Sequence, residues 1–382
     1  MGKGMKVMFL VFHSLAAHSG ISKKILAEAE ALRENGLEVE LCRLEIGSDG
    51  TKSRVLGSKE ICRFGGGLKA KIRKRTDYSD IVRSAVEGGF KLVYIRYDIN
   101  ADPFTVRLVR DLHKNGVKTI VEIPTWPYDG EFKGQGLVMN VQLLIDQVFR
   151  KKFFKWCDRI VLYSGPETLF GRPVIHISNG VDFKSVPLSR HETKPHDSLR
   201  LLSVANIHLW HGIDRLIKGM AEHKDILCEL HIVGDGLPQI IDGYRKLAQE
   251  NGIGDRVKIL GPMYGEALDK EFEWADLAVG SLGRHRSGIT DIKTLKNREY
   301  AARGLAFFYS ENDADFDNAP YVFKAAADES AIDIASLKEF HDGMTMTGEQ
   351  IRESIRHLSW KEQMGKVVSD ISTERSTGCH LD

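Results

Sequence analysis

Short apolar runs that read as strands alternate with helical patterns along this chain, and the alternation starts twice. Residues 6–12 (KVMFLVF) have the continuous apolar character of a buried strand. A helical pattern over 22–35, closed by Gly36, leads into a strand pattern over 38–44. Strand signals recur at 92–96, 119–123, 160–163 and 174–177, with a helical pattern over 105–115. After residue 180 the series begins again. Strands are expected at 201–205, 229–233, 257–260, 277–279 and 306–309, with helices over 213–222, 240–251, 266–274 and 295–303 between them. A repeated β-α-β order implies a parallel sheet covered on both faces. The expected fold class is therefore α/β, with two Rossmann-like doubly wound domains facing a central cleft. Ligands in such sheets bind beyond the carboxyl ends of the strands. The domains are expected over 1–180 and 181–347, followed by a helical segment 348–382; the polar stretch 187–198 reads as the linker.

At 382 residues, with 42% apolar and 28% charged residues, the chain has material for two sizeable cores and is not of disordered composition. No apolar run reaches the roughly 18 residues of a membrane-spanning helix. The first residues run directly into a strand pattern without the apolar region of a signal peptide. Five cysteines at scattered positions have no metal-ligand or redox spacing, which fits idle thiols in a reducing cytoplasm. The net charge of +1 hides an asymmetry. Residues 1–180 carry 29 Lys and Arg against 20 Asp and Glu, a net of +9, whereas residues 181–382 carry 25 against 33, a net of −8. Two domains with different partners are expected.

Three motifs sit at strand ends. Asn179-Gly180-Val181-Asp182 is a turn, and Val233-Gly234-Asp235-Gly236 is a glycine turn between strand and helix that reads first as structural. The third spans 287–304, where Asp291 in a loop and Glu299 in a helix are eight residues apart. A helix beginning near Lys293 and Thr294 offers free amides and a positive dipole end to an anion. Carboxylates on either side of a phosphate site suit a nucleotide-sugar, which has hydroxyls on both sides of its diphosphate.

In this order, with Ala302-x-Gly304 closing the third motif, these features resemble the family-four retaining glycosyltransferases of the GT-B architecture. The resemblance is strong over about 175–310 and looser before it. It implies that Glu299 holds the donor ribose and Asp291 the donor sugar. It places Lys293, Thr294, Leu295 and Lys296 by the sugar and β-phosphate, Gly236 in the donor site, and Met263 and Tyr264 near the nucleobase. Ser359-Trp360 resembles the start of the family's last helix, which returns to the N-terminal domain. One departure stands out. The family's diphosphate-binding Arg and Lys positions hold Asn206 and His211. Lys293 or Lys296 is expected to supply the missing charge, with Arg284 and Arg286 as the next candidates.

The N-terminal domain is expected to hold the acceptor. His18, Ser19 and Gly20 form the small-residue loop entering the first helix, and Glu122, Asp129, Trp126 and Tyr128 lie at the end of the strand near 119–123. Many relatives have a His near that strand end, and none stands here. Glu122 and Asp129, with Asp291, are the candidate catalytic carboxylates, and Trp126 and Tyr128 are candidates for stacking on a sugar. Asp313-Ala314-Asp315-Phe316-Asp317 has the Asp-x-Asp spacing of metal-dependent transferases, but it falls in a late polar loop, and no metal is expected. Lys69, Lys71, Arg73, Lys74 and Arg75 put five basic residues in eight, with Phe64, Leu68 and Ile72 at helical spacing. That pattern suits an anionic membrane surface or an ordinary solvated face, ahead of a nucleic-acid patch.

The expected function is transfer of a sugar from a nucleotide-sugar, with a UDP-sugar favoured, to a glycan or polyprenyl-linked acceptor in surface polysaccharide synthesis. The expected chemistry is retaining and metal-independent, without a further cofactor, in the cytoplasm or at the inner membrane face. A non-catalytic nucleotide-sugar-binding subunit and a sugar-nucleotide epimerase are the alternatives. Glu299→Gln is predicted to weaken nucleoside diphosphate binding by about 1.5–3 kcal/mol, through loss of a charged acceptor. Unchanged affinity by calorimetry would remove Glu299 from the donor site.

Overall fold

The computed structural model describes residues 4–16, 19–129, 136–190 and 197–377. The chain divides into two compact units. One joins the residues up to Ile177 with those from Trp360 onward, and the other runs from Ser178 to Ser359.

The first unit contains β1 (Lys6–Leu10), α1 (Gly20–Glu34), β2 (Glu38–Ile46), β3 (Lys52–Leu56), β4 (Lys59–Gly65), α2 (Gly67–Thr76) and α3 (Ser79–Glu87). It continues with β5 (Leu92–Arg96), α4 (Pro103–Lys114), β6 (Lys118–Glu122), α5 (Leu137–Phe154), β7 (Arg159–Leu162), β8 (Thr168–Leu169) and β9 (Arg172–His176). The second unit contains β10 (Leu199–Val204), α6 (Ile213–Glu222), β11 (Cys228–Val233), α7 (Pro238–Glu250), β12 (Val257–Gly261), α8 (Glu266–Trp274) and β13 (Leu277–Val279). There follow α9 (Leu295–Ala302), β14 (Phe307–Tyr309), β15 (Val322–Lys324), α10 (Ile334–Asp342) and α11 (Gly348–Ser354). The last helix, α12 (Trp360–Thr377), packs in the first unit.

In the first unit the sheet order is β4-β3-β2-β1-β5-β6-β7-β9-β8. The strands from β2 to β9 in that order are parallel, and β3, β4 and β8 are antiparallel to their neighbours. Alternation along β1 assigns the two faces. Val7 and Phe9 pack with Ile25 and Leu32 of α1 and with Trp360, Met364 and Val367 of α12. Met8 and Leu10 share the other face with Ile81 of α3, Leu108 and Leu112 of α4, and Phe153 and Phe154 of α5. The start of α4 is fixed locally: Pro103 occupies its first turn, and Asp102 and Thr105 form a reciprocal capping box.

The β3–β4 hairpin changes one sequence expectation. Phe64 lies in β4 and is buried, so it does not continue the stripe of Leu68 and Ile72. The helix carrying the five basic residues begins only at Gly67, and its two aliphatic side chains are exposed. Among the described residues no helix is long and apolar enough to cross a membrane.

The second sheet is wholly parallel, in the order β12-β11-β10-β13-β14-β15. The first three strands run outward in one direction and the next three in the other, so the chain reverses its winding between β10 and β13. Helix α6 packs closely against the segment entering α10. A methyl group on Gly219 would lie 1.9 Å from the Ile332 carbonyl oxygen. Gly219→Ala is therefore predicted to destabilise the second unit by about 1–3 kcal/mol, the usual cost of overpacking. Equilibrium urea unfolding indistinguishable from the parent's would contradict this contact.

Candidate functional site

The loops beyond β10, β13 and β14 meet at the point where the second sheet reverses. After β10 the chain makes a short 3-10 turn, Leu209–His211, and enters α6 through Gly212. Leu282 and Gly283, beyond β13, donate backbone hydrogen bonds to the His211 and Trp210 carbonyls at 2.9 and 3.1 Å. This approach needs glycine at 212: its φ is +62°, and a Cβ there would lie 2.6 Å from the Leu282 carbonyl carbon. Beyond β14, Ser310 N donates to Ser281 O at 2.9 Å, and Asn312 N to Thr290 O at 2.7 Å. Three loops from three neighbouring strands are thus joined into one rim.

Four side chains converge there. Lys296, in the first turn of α9, donates to the Ser281 hydroxyl at 2.9 Å. His211 is 5% exposed, and its Nδ1 accepts the His208 amide at 2.9 Å. Burial, with the charges of Lys296 and Arg284 and the neighbouring His208, holds the imidazolium well below its usual range. The ring is therefore neutral; its Nδ1 also lies 3.3 Å from the His208 carbonyl oxygen, so both groups of the His208 backbone face it. Glu311, just beyond β14, is 2% exposed, and neither carboxylate oxygen has a hydrogen-bond partner. Burial raises its carboxyl to about 7 against the pull of Lys296 and Arg284. Burial likewise lowers Lys296 to about 7, against the attraction of Glu311.

Other cations nearby are engaged elsewhere. Lys293 Nζ is 3.3 Å from Asp315, and Arg286 forms two 2.8 Å hydrogen bonds to Asp214 and also pairs with Glu329. Arg284 lies over the Trp210 ring. Of the two lysines expected near a diphosphate, Lys293 is thus neutralised by a carboxylate, whereas Lys296 meets a neutral hydroxyl. The acidic run is also occupied from within. Asp313 and Asp315 bind Arg298, and Asp317 binds Lys324 and Tyr309 at 2.7 and 2.9 Å. Among the described residues no group of His, Cys, Asp or Glu is arranged for a metal ion.

Around the rim, Asn206 and Asp291 are exposed, and Asp291 accepts from the Thr290 hydroxyl at 2.8 Å. Thr294 stands at the N-cap of α9 but does not cap it, and Leu295 is partly exposed. Glu299 is half-buried, 3.0 Å from Arg303. Gly236 lies in a short bridge with Ile207, which gives the 233–236 turn a packing role. Met263 is half-buried, and Tyr264 is exposed beyond β12.

In the first unit the candidate acceptor residues separate. Ser19 caps α1 and Gly20 begins it; His18 lies outside the described residues. Glu122 has no exposed surface. It accepts from Arg96 at 2.7 Å, Tyr163 at 2.7 Å and Tyr94 at 3.0 Å, and lies 3.6 Å from Lys24. Burial works to raise its carboxyl, but the Arg96 and Lys24 charges and the two phenols hold it below the usual range. In this state it is an ionised anchor within the core, away from solvent. Tyr128 is also buried, donating to Asp146 at 2.7 Å, which removes its ring from any sugar. Trp126 packs edge-on against Tyr128 and Phe170 and keeps part of its surface. Asp129 is paired with Arg150 at 2.8 Å.

No protein-family profile matches the sequence, and no curated protein is significantly similar to it. Its fold has clear counterparts. The chain resembles the sucrose-phosphate synthase of Thermosynechococcus elongatus over 98% of its own length and 100% of that chain, with 15% identity and a TM-score of 0.63. The Anabaena protein HepE, solved with UDP and glucose, matches 97% of this chain over 100% of its own at 12% identity, TM-score 0.61. The catalytic domain of Arabidopsis thaliana starch synthase IV, bound to ADP and acarbose, matches 98% over 100% at 14% identity, TM-score 0.62. The fold is that of the GT-B glycosyltransferases.

Within this GT-B fold, Glu311 is the residue that sequence patterns did not single out. Its only mark was a carboxylate directly after a strand. Its proton has a readable consequence. Between its ordinary value of 4.5 and about 7, folded Glu311 holds a proton that the unfolded chain has lost, so stability falls as pH rises through that window. For Lys296 the unfolded chain holds the extra proton between about 7 and 10.5, so stability rises again there. The cluster is least stable near neutrality. Glu311→Gln is predicted to flatten the acid limb of the profile of melting temperature against pH. Parallel curves for variant and parent would show that Glu311 does not titrate in this window.

Proposed function

We propose that the protein is a retaining, metal-independent glycosyltransferase that uses a nucleotide-sugar, with a UDP-sugar preferred. Its acceptor is a glycan or polyprenyl-linked glycan in surface polysaccharide assembly. The observation that carries this reading is the meeting of Lys296 and the neutral imidazole of His211 at the switch point of a Rossmann-order sheet. They stand beside the first turn of α9, which no side chain caps. A diphosphate entering a region of reduced dielectric needs charge and donors already in place. Lys296 supplies the charge, His211 a neutral imidazole, and the α9 amides a partial positive end. An incoming diphosphate also keeps Lys296 protonated and so relieves the tension in the cluster. Glu299 and Asp291 are assigned to the donor ribose and sugar hydroxyls. The UDP and ADP bound in two proteins of like fold support a nucleotide donor.

On the acceptor side, the partly exposed Trp126 and Asp129 and the Ser19-Gly20 turn remain the candidates. The basic helix α2, with Lys69, Lys71, Arg73, Lys74 and Arg75, is assigned to an anionic membrane surface at the cytoplasmic face, where a lipid-linked acceptor is presented.

A panel of nucleotide-sugars tests the reading. Release of nucleotide that depends on a glycan acceptor supports transfer. An isomerised sugar would indicate an epimerase, and binding without turnover a donor-binding subunit. Within the panel, Lys296→Ala is predicted to weaken nucleoside diphosphate binding by about 1.5–3 kcal/mol while leaving nucleoside binding nearly intact. Lys293→Ala, which breaks only the pair with Asp315, is predicted to change affinity little. The reverse ranking in calorimetry would return the diphosphate to Lys293.

A further inference from the structure

Helix α5 has two apolar sides. Leu143, Phe153 and Phe154 face the core. On the opposite side Leu137, Val138, Val141, Leu144, Ile145 and Val148 are exposed, with Val138 at 81% and Leu144 at 61%. At 100° per residue the six fall within an arc of about 120°. Three helical turns thus present aliphatic side chains to the outside, and the row is broader than the scattered exposed residues of an ordinary surface.

The charges around the row identify what fits it. Lys151, Lys152 and Lys155 are exposed and fall on the same side at the carboxyl end. The one acid of the helix, Asp146, is turned inward, accepting from Tyr128, Tyr97 and the Ala101 amide. Helix α4 packs against α5 and also against the basic helix α2, so both basic helices belong to the same side of the first sheet. Protein interfaces disfavour lysine, whereas a lipid surface with anionic headgroups attracts it. An apolar row ending in lysines is the pattern of a helix lying in the plane of a bilayer surface.

We propose that the exposed face of α5 inserts into the headgroup boundary of an anionic bilayer. Its aliphatic row enters the upper acyl region, and Lys151, Lys152 and Lys155 meet lipid phosphates. The inference rests on the assignment of α2 to a membrane surface and adds the apolar contact that α2, with only Leu68 and Ile72 exposed, lacks. Attraction through α2 weakens with salt, and the α5 contact persists.

The test uses the full chain and vesicles of equal parts phosphatidylglycerol and phosphatidylcholine. The parent is expected to co-sediment with the vesicles and to retain part of its binding at high salt. The combined variant Val141→Ser, Leu144→Ser, Val148→Ser is expected to lose at least about tenfold in partition, in proportion to the apolar area removed. Its melting temperature should match the parent's, because these side chains are exposed. Leu144→Trp provides a second readout: the emission it adds to the parent's should shift to the blue on adding vesicles. A parent that does not bind, a serine variant that binds equally, or an unshifted emission from the introduced indole would each overturn the proposal. So would a parent dimer that the serine variant converts to monomer, since a second copy would then cover the row. Neutralising the five basic residues of α2 is expected to remove the salt-sensitive part alone. If it removes all binding and the serine variant removes none, the α2 assignment stands and the α5 proposal falls.

Discussion

The guanidinium of Arg298 holds the rim of the second unit's candidate site in place. It is fully buried in α9 and hydrogen-bonds both oxygens of Asp313, a carboxylate oxygen of Asp315, the Ser178 hydroxyl and the carbonyls of Asn179 and Thr294. These groups come from three places: the start of the second unit, the turn before α9, and the loop beyond β14. A buried charge with all donors satisfied is stable in this setting. Removing one partner leaves the other uncompensated, at a cost of about 3–5 kcal/mol. The geometry around Lys296 therefore depends on a buried ion pair whose own polar groups are already satisfied.

The contrast with Lys296 and Glu311 explains how scaffold and site can be told apart within a few residues. Around Arg298 every charge meets its opposite directly. Lys296 and Glu311 influence each other without forming an ion pair, and the oxygens of Glu311 remain without donors. Frames saturate their polar groups, and sites leave some for a ligand. The buried group of Lys24, Glu28, Arg96 and Glu122 in the first unit lies between the two kinds: Glu122 is saturated by Arg96 and the phenols of Tyr94 and Tyr163, whereas Glu28 Oε2 has no hydrogen-bond partner, and burial beside Glu122 raises the Glu28 carboxyl to about 7.

The strand–helix rhythm was legible because parallel strands buried on both faces leave continuous apolar runs such as that of β1. Helix α5 was not: with aliphatic residues on its buried and exposed sides alike, its sequence has no clear 3.6-residue period. The β3–β4 hairpin escaped for a different reason. Its strands carry charged residues, and Phe64 also suited a helical stripe. Within the site, Lys293 and Lys296 were equivalent by position, and only the placement of Asp315 separates them. Glu122 and Tyr128 looked like site residues because they end or follow a strand. Whether such a side chain turns outward or into the core depends on distant partners, here Arg96 and Asp146.

Helix α12 gives the chain a particular order of birth. The face of β1 carrying Val7 and Phe9 is covered partly by α1, close in sequence, and partly by Trp360, Met364 and Val367, more than three hundred residues later. A nascent chain emerging from the ribosome must therefore hold its first sheet with one apolar flank open while the whole second unit is synthesised and can fold. During that interval the flank is a surface for chaperones or for faulty association. Release of the last helix from the exit tunnel is the event that closes it.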